Sequence, residues 1–198
     1  VYLLPVLNPD GYAYTFSSER LWRKSRQPLA PGRECYAACC GVDLARNWGT
    51  GWGVYAEGEA NSRCGLNYPG TAPFSAPEAN ATARFLSTLA RGAGLFAYVN
   101  LHAAAQMWLT PFAFTYTPPP RGDASIQADV GKVGARAAGS AATELRFASG
   151  PASTTIYPCP GVPMDWVYAE LGVVRSVTLE LGYNHIQVQP PTKIAPMG

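Results

Sequence analysis

Two runs of apolar, β-branched and aromatic residues stand out along the chain, Leu95–Leu101 and Val173–Leu181. The first reads as a strand of a sheet covered on both faces, the second as another buried strand. The first run leads into His102 and three alanines, Ala103–Ala105; the second carries Glu180 near its end. Ligands bind at the carboxyl ends of strands in open α/β sheets. A carboxylate at the end of an apolar strand is costly unless it is paired or working. The two strands are therefore expected to deliver a histidine and a glutamate to one rim.

Helical periodicity fills the intervals. Ser75-Ala76-Pro77-Glu78 reads as a capping box opening a helix that runs to about Arg91, with Gly92 as its stop and Ala81, Phe85 and Leu89 facing inward. Asp123–Leu145 predicts a second helix with Ile126, Val130, Val133 and Ala137 on one side. Its internal glycines each cost about 1 kcal/mol against alanine, so it needs close packing on a sheet to persist. Pro163–Leu171 is a short helix ended by Gly172, and Met107–Tyr116 is extended. At the start, Val1–Leu7 reads as a strand and not a signal peptide, and Asn8-Pro9-Asp10-Gly11 as a turn. This order of elements is that of an α/β domain.

Composition narrows the picture. A chain of 198 residues supports one domain, and a formal net charge of +2 argues against nucleic acid or a membrane surface as the main partner. No apolar run reaches the ~18–20 residues that span a bilayer. The five cysteines (Cys35, Cys39, Cys40, Cys64, Cys159) lack paired CxxC spacing, which favours a disulfide in an oxidising compartment, with a thiol left over, above a zinc knuckle. Arg20, Arg23, Lys24 and Arg26 cluster around Leu21 and Trp22, as a solvated turn or as an anion site. Arg121-Gly122-Asp123, read as an exposed turn after three prolines, is taken as a chance motif, and the Asn80-Ala81-Thr82 sequon falls inside a helix.

Five segments in order then become specific: NPDGYAYTFSSERLWRKSR, GVDLARNW, NLHAAAQMWLTPFAFTY, TTIY…MDW and TLEL. At matching spacing over about residues 1–190, they resemble the zinc carboxypeptidase family of the pancreatic A/B type. The resemblance implies a mixed, mostly parallel central sheet sandwiched between helices, here incomplete at both ends. Residues 1–198 would be the C-terminal two-thirds of a single catalytic domain. It implies one Zn2+ ion, with His102 as one ligand. The family's other two ligands form a His-x-x-Glu pair, which this chain lacks, since the only other histidine is His185 with no glutamate three positions on. That pair is expected upstream.

The remaining roles follow from the same resemblance. Glu180 matches the general base, and Arg23 the arginine that stabilises the oxyanion. Arg46 matches the clamp on the substrate's terminal carboxylate, and Tyr157 the tyrosine that closes over it. Met164, Leu109 and Ala113 match walls of a specificity pocket suited to a hydrophobic or aromatic C-terminal residue. Cys39 would pair with Cys64, Cys40 being a close competitor. Three departures stand against these matches: Ala45 for an asparagine, Ala103–Ala105 for a more polar run, and Gly182 for an arginine.

The resemblance thus implies a secreted zinc metallocarboxypeptidase acting on peptide or protein C-termini, with this chain inactive alone for want of two ligands. The alternative is a catalytically inactive relative serving as a binding or structural subunit. Retention of Arg23, Arg46, His102, Tyr157 and Glu180 together favours the enzyme, and the absent His-x-x-Glu, Ala45 and the alanine run favour the alternative. The missing N-terminal segment and other subunits stand as further partners.

Overall fold

The computed structural model describes residues 1–28, 39–54, 62–141 and 146–182. Its elements are α1 (Pro9–Ser17), α2 (Pro77–Arg91), β1 (Tyr98–Ala103), β2 (Met107–Thr110), α3 (Arg121–Ala141), β3 (Ala148–Pro151), α4 (Ala152–Thr155), α5 (Pro163–Leu171) and β4 (Ser176–Leu181). The strands form a mixed sheet in the order β1-β4-β2-β3. β1 runs parallel to β4 and β2 parallel to β3, while β2 and β4 are antiparallel. α3 packs on β2 and β3, and α5 on β4 and β1. The result is an α/β fold with helices flanking the sheet. The expected Leu145 end of the long helix, Cys35, His185 and residues 196–198 lie outside the described residues.

The two apolar runs behave differently. β4 is central in the sheet, and its first residues, Ser176, Val177 and Thr178, are buried as expected. β1 is the edge strand among the described residues, and its residues alternate: Tyr98, Asn100 and His102 are half-buried, whereas Val99 and Leu101 are 49% and 63% exposed. Among the described residues α5 packs on β1, and the expected double cover is not seen at Val99 and Leu101. The strand also continues through His102 to Ala103.

The expected strand at Val1–Leu7 does not form; the segment pairs with no strand among the described residues. Asn8-Pro9-Asp10-Gly11 begins a helix where a turn was expected. The Asn8 side chain accepts the Gly11 N–H at 3.0 Å, and Pro9 occupies the first helical turn, where its missing N–H does no harm.

Small residues turn α2 and α3 away from their expected inner faces. α2 buries Ala79, Ala83 and Leu86 against Trp48, Val167 and Val173, while Phe85 is 48% exposed and sits edge-on to Tyr2. Ala81 is exposed and Leu89 only half-buried. The capping box does not form either: Ala76 is the N-cap, and the Ser75 hydroxyl bonds Asn47 Nδ2 at 2.9 Å. In α3, Gln127, Gly131 and Ala135 are buried, Val130 is half-buried, and Ile126, Val133 and Ala137 are exposed. A Cβ at Gly134 would fall 2.3 Å from the Trp108 indole, so the glycine lets the helix lie directly on β2. Arg121-Gly122-Asp123 is the first turn of α3 and not a loop, and Asp123 accepts the Tyr168 hydroxyl at 2.7 Å. α5 ends as expected, with Gly172 in the left-handed region at φ 68°.

Cys39 is bonded to Cys64, not Cys40 to Cys64, and Cys159 is a free, buried thiol. Closing a loop of this size removes about 3 kcal/mol of unfolded-state entropy in the chain-entropy account.

Candidate active site

The parallel pairing of β1 with β4 sets His102 directly beside Glu180 in register. Their side chains share a face, with His102 Nδ1 3.7 Å from Glu180 Oε1. Burial pushes the His102 imidazole down to about 4, and the nearby Arg23 and Arg46 charges push the same way, against Asp43. The ring is therefore neutral at physiological pH, the form in which histidine binds a metal.

Two loops bring cations to this rim. Arg23 follows α1, and its Nε and Nη2 donate to the single oxygen Asp43 Oδ2 at 3.0 and 2.9 Å. Arg46 is buried; its Nη1 donates to the Ala45 carbonyl at 2.9 Å and its Nη2 to the Tyr157 hydroxyl at 3.4 Å. Gly161 packs against the Arg46 main chain, where a Cβ would lie 2.3 Å from the Arg46 carbonyl oxygen. Trp48 N–H donates to the Gly161 carbonyl at 3.0 Å, so the 159–164 loop is locked onto the arginine loop.

Leu109, Ala113, Ala152, Cys159, Val162 and Met164 form one buried cluster. Asp165 stands behind it, fully buried, and accepts the N–H groups of Ala113 at 2.8 Å and Phe114 at 3.1 Å, holding the chain beyond β2 against the start of α5. Burial pushes the Asp165 carboxyl up to about 7, with those two N–H groups pulling it back. The Cys159 thiol is pushed up to about 11, chiefly by burial, and is protonated at neutral pH.

A cleft of about 400 Å3 is lined by residues of both kinds. Arg23, Arg46, His102, Tyr157 and Glu180 line it. Leu109, Ala113 and Met164 line it too, so all eight of these expected residues meet at one place. Ala45 and Ala103–Ala105 line it too, where they leave space and offer no side-chain donors. Sequence reasoning missed Asp43 and Asp165. Asp43 stood in plain view inside GVDLARNW and Asp165 inside MDW; an acid within an otherwise apolar run was the available signal.

A zinc ion needs three protein donors at a catalytic site. Among the described residues, no group of three His, Cys, Asp or Glu side chains could hold a metal ion. His102 and Glu180 alone do not make a zinc site.

A zinc carboxypeptidase family model matches residues 1–198. A metallocarboxypeptidase A-like protein of Trichophyton verrucosum (strain HKI 0517) is 33% identical over the whole of this chain, which covers 45% of that protein. Mast cell carboxypeptidase A of Homo sapiens is 34% identical over 91% of the chain, which covers 40% of it. The crystal structure of thrombin activatable fibrinolysis inhibitor superposes with a TM-score of 0.78 at 32% identity, covering 93% of this chain and 43% of that one. The chain belongs to the zinc carboxypeptidase family. It spans less than half the length of these relatives.

Proposed function

We propose that the full-length protein is a secreted zinc metallocarboxypeptidase that releases an apolar C-terminal residue from peptides or proteins. Residues 1–198 then form the C-terminal two-thirds of its single catalytic domain. The observation that carries this reading is the cleft itself, whose one lining combines two arginines and a glutamate with the apolar Leu109, Ala113 and Met164. A peptide C-terminus has a matching combination, with a carboxylate and a reacting carbonyl beside one side chain.

Arg46 would bind the terminal carboxylate, for which its planar fork of donors is suited. Tyr157 is 51% exposed and already reaches Arg46, so it can close over the bound end. Arg23, with Nε and Nη2 turned to Asp43, keeps its other donors for the scissile carbonyl oxygen as negative charge develops there. Glu180 would take a proton from the attacking water and pass it to the leaving amine. Met164, Leu109 and Ala113 would receive the side chain, and the absence of a charged group among them favours Phe or Leu over Lys or Arg. His102 would supply one zinc ligand, the remaining donors coming from outside the described residues. The Cys39–Cys64 disulfide supports an oxidising compartment.

One specific observation favours an inactive relative: Ala45 and Ala103–Ala105 leave the cleft short of polar contacts. A single experiment separates the readings. The full-length protein is assayed for metal content and for release of Phe, Leu and Lys from blocked dipeptides, with and without a chelator. Near-stoichiometric zinc with chelator-sensitive release of Phe or Leu supports the enzyme. Metal-free, folded protein releasing nothing would leave only the binding role.

A further inference from the structure

The sheet meets the cleft in rows of side chains. Strand register sets His102, Glu180 and Met107 abreast across β1, β4 and β2. Two residues back along β1 and β4, Asn100, Thr178 and Leu109 stand abreast in the same way. Alternation along each strand keeps both rows on one face, about 7 Å apart. All of these residues line the cleft, whereas Leu101, Trp108 and Leu179, which alternate with them, do not. The row before, Tyr98 and Ser176, does not line it either. Ser176 is fully buried, and its hydroxyl donates to the Met164 carbonyl at 2.8 Å. Asn100, Thr178 and Leu109 are therefore the last row of the sheet to face the cleft.

Two of these three residues are polar. Thr178 is 7% exposed and Asn100 half-buried, and among the described residues neither side chain has a hydrogen-bond partner. A hydroxyl and an amide withdrawn from water in this way are costly until something pairs with them. Leu109, their neighbour in the row, belongs to the apolar cluster of Ala113 and Met164. A group that completes the pair must therefore arrive on an apolar body.

We propose that Asn100 and Thr178 set the specificity of the cleft, selecting a C-terminal tyrosine over phenylalanine through hydrogen bonds to its phenol hydroxyl. The proposal rests on the carboxypeptidase reading above for which part of the peptide enters, and on strand register for where the two polar groups stand. A phenol hydroxyl donates one bond and accepts another. Asn100 offers an acceptor and two donors, and Thr178 offers one donor and two lone pairs, so the pair can serve it in either sense. The spacing fits as well. With the reacting carbonyl at the row of His102 and Glu180, the polar row lies about 7 Å away, within reach of a tyrosine side chain and beyond that of leucine. Phenylalanine would cover the amide and the hydroxyl and leave them unpaired, which is how a site built to bind a hydroxyl rejects the analogue lacking it.

The test compares full-length protein acting on blocked dipeptides that end in Tyr or Phe. One neutral hydrogen bond should raise kcat/KM for Tyr about 5- to 10-fold above that for Phe. Asn100→Leu and Thr178→Val exchange the polar groups for apolar ones of similar size. Each should favour Phe and bring the Tyr-to-Phe ratio towards about 1, and having both guards against one that fails to fold. Phe released as fast as Tyr by the wild type, or a preference that survives both substitutions, overturns the proposal.

A second arm needs no turnover. Phenylpropanoate and its para-hydroxy derivative each carry a carboxylate for Arg46 and a ring for the apolar wall, and differ in one hydroxyl. Calorimetry on the full-length protein should find the hydroxylated acid bound about 5- to 10-fold more tightly. Equal affinity, or no binding of either acid, overturns the proposal. A hydroxyl preference in a protein that releases no C-terminal residue supports the polar row and rejects the carboxypeptidase reading instead.

Discussion

The polar and the apolar parts of the cleft lining are built by opposite means. In the polar part, the chemistry-bearing groups come from distant stretches: Arg23 and Arg46 from loops, His102 and Glu180 from adjacent strands. Hydrogen bonds and charge hold them, with Asp43 at the back. In the apolar part, Leu109, Ala113 and Met164 are 3%, 0% and 1% exposed and are held by packing. Charged groups must be oriented to act, and orientation needs directional bonds. A wall for an apolar side chain needs only shape, which close packing provides. Changes in the polar part should therefore damage rate and binding with little loss of fold, and changes in the apolar part should do the reverse.

The largest expected effect is at Glu180. Glu180→Gln removes the proton acceptor but keeps the shape, so kcat of the full-length protein should fall by about 10³-fold with melting temperature nearly unchanged. A variant within tenfold of wild type would take the base role away from Glu180. Met164→Ala tests the apolar part. Emptying a fully buried site should destabilise by about 2–5 kcal/mol in urea titrations, with a smaller change in turnover of substrates that still bind. Equal damage to turnover at unchanged stability would mean that the apolar wall also orients the reacting bond.

Arg46→Lys comes next. It keeps the charge but loses the fork, and the hydrogen bonds to a charged partner are worth about 1.5–3 kcal/mol, so KM should rise about 10- to 100-fold while kcat holds. A fall in kcat at constant KM would move Arg46 from substrate binding to the reaction itself.

The smallest effect concerns Asp165, which supports the apolar wall with a carboxylate. Its folded value, about 7, lies above the ordinary 3.8. The folded chain therefore retains a proton that the unfolded chain releases, and this contribution is complete below about pH 4 and lost as pH rises through about 7. Asp165→Asn cannot titrate. The stability of the wild type minus that of the variant should fall across this window, in the direction set by burial. A difference that rises with pH would show that the Ala113 and Phe114 N–H bonds prevail over burial.

The edge strand and the central strand show how far a local pattern reaches. Leu95–Leu101 and Val173–Leu181 look alike as sequence, yet only the second has a buried stretch of strand, Ser176–Thr178, and its end at Leu181 is 41% exposed. Apolar density reports that a segment can be buried; its neighbours decide whether it is. The same limit explains α2 and α3, where Phe85, Ile126 and Val133 gave the stronger hydrophobic signal but Ala79, Ala83, Gly131 and Ala135 face inward. Close approach of backbones favours the residue with least side chain, and no hydrophobicity pattern marks that. Arg121-Gly122-Asp123 looked like a loop because prolines precede it, but prolines also begin helices.

The sequence by itself determined the α/β class, the helix stop at Gly172, and the set of side chains able to do chemistry at the ends of the two strands. These follow from periodicity, caps and residue type, all of them local. Only the tertiary structure decided which face of each helix is inside, which strand lies at the edge, and that Asp43 and Asp165 stand behind the cleft lining. Those outcomes depend on contacts between residues far apart in the chain. A buried carboxylate reveals its purpose only through the donors that folding brings to it.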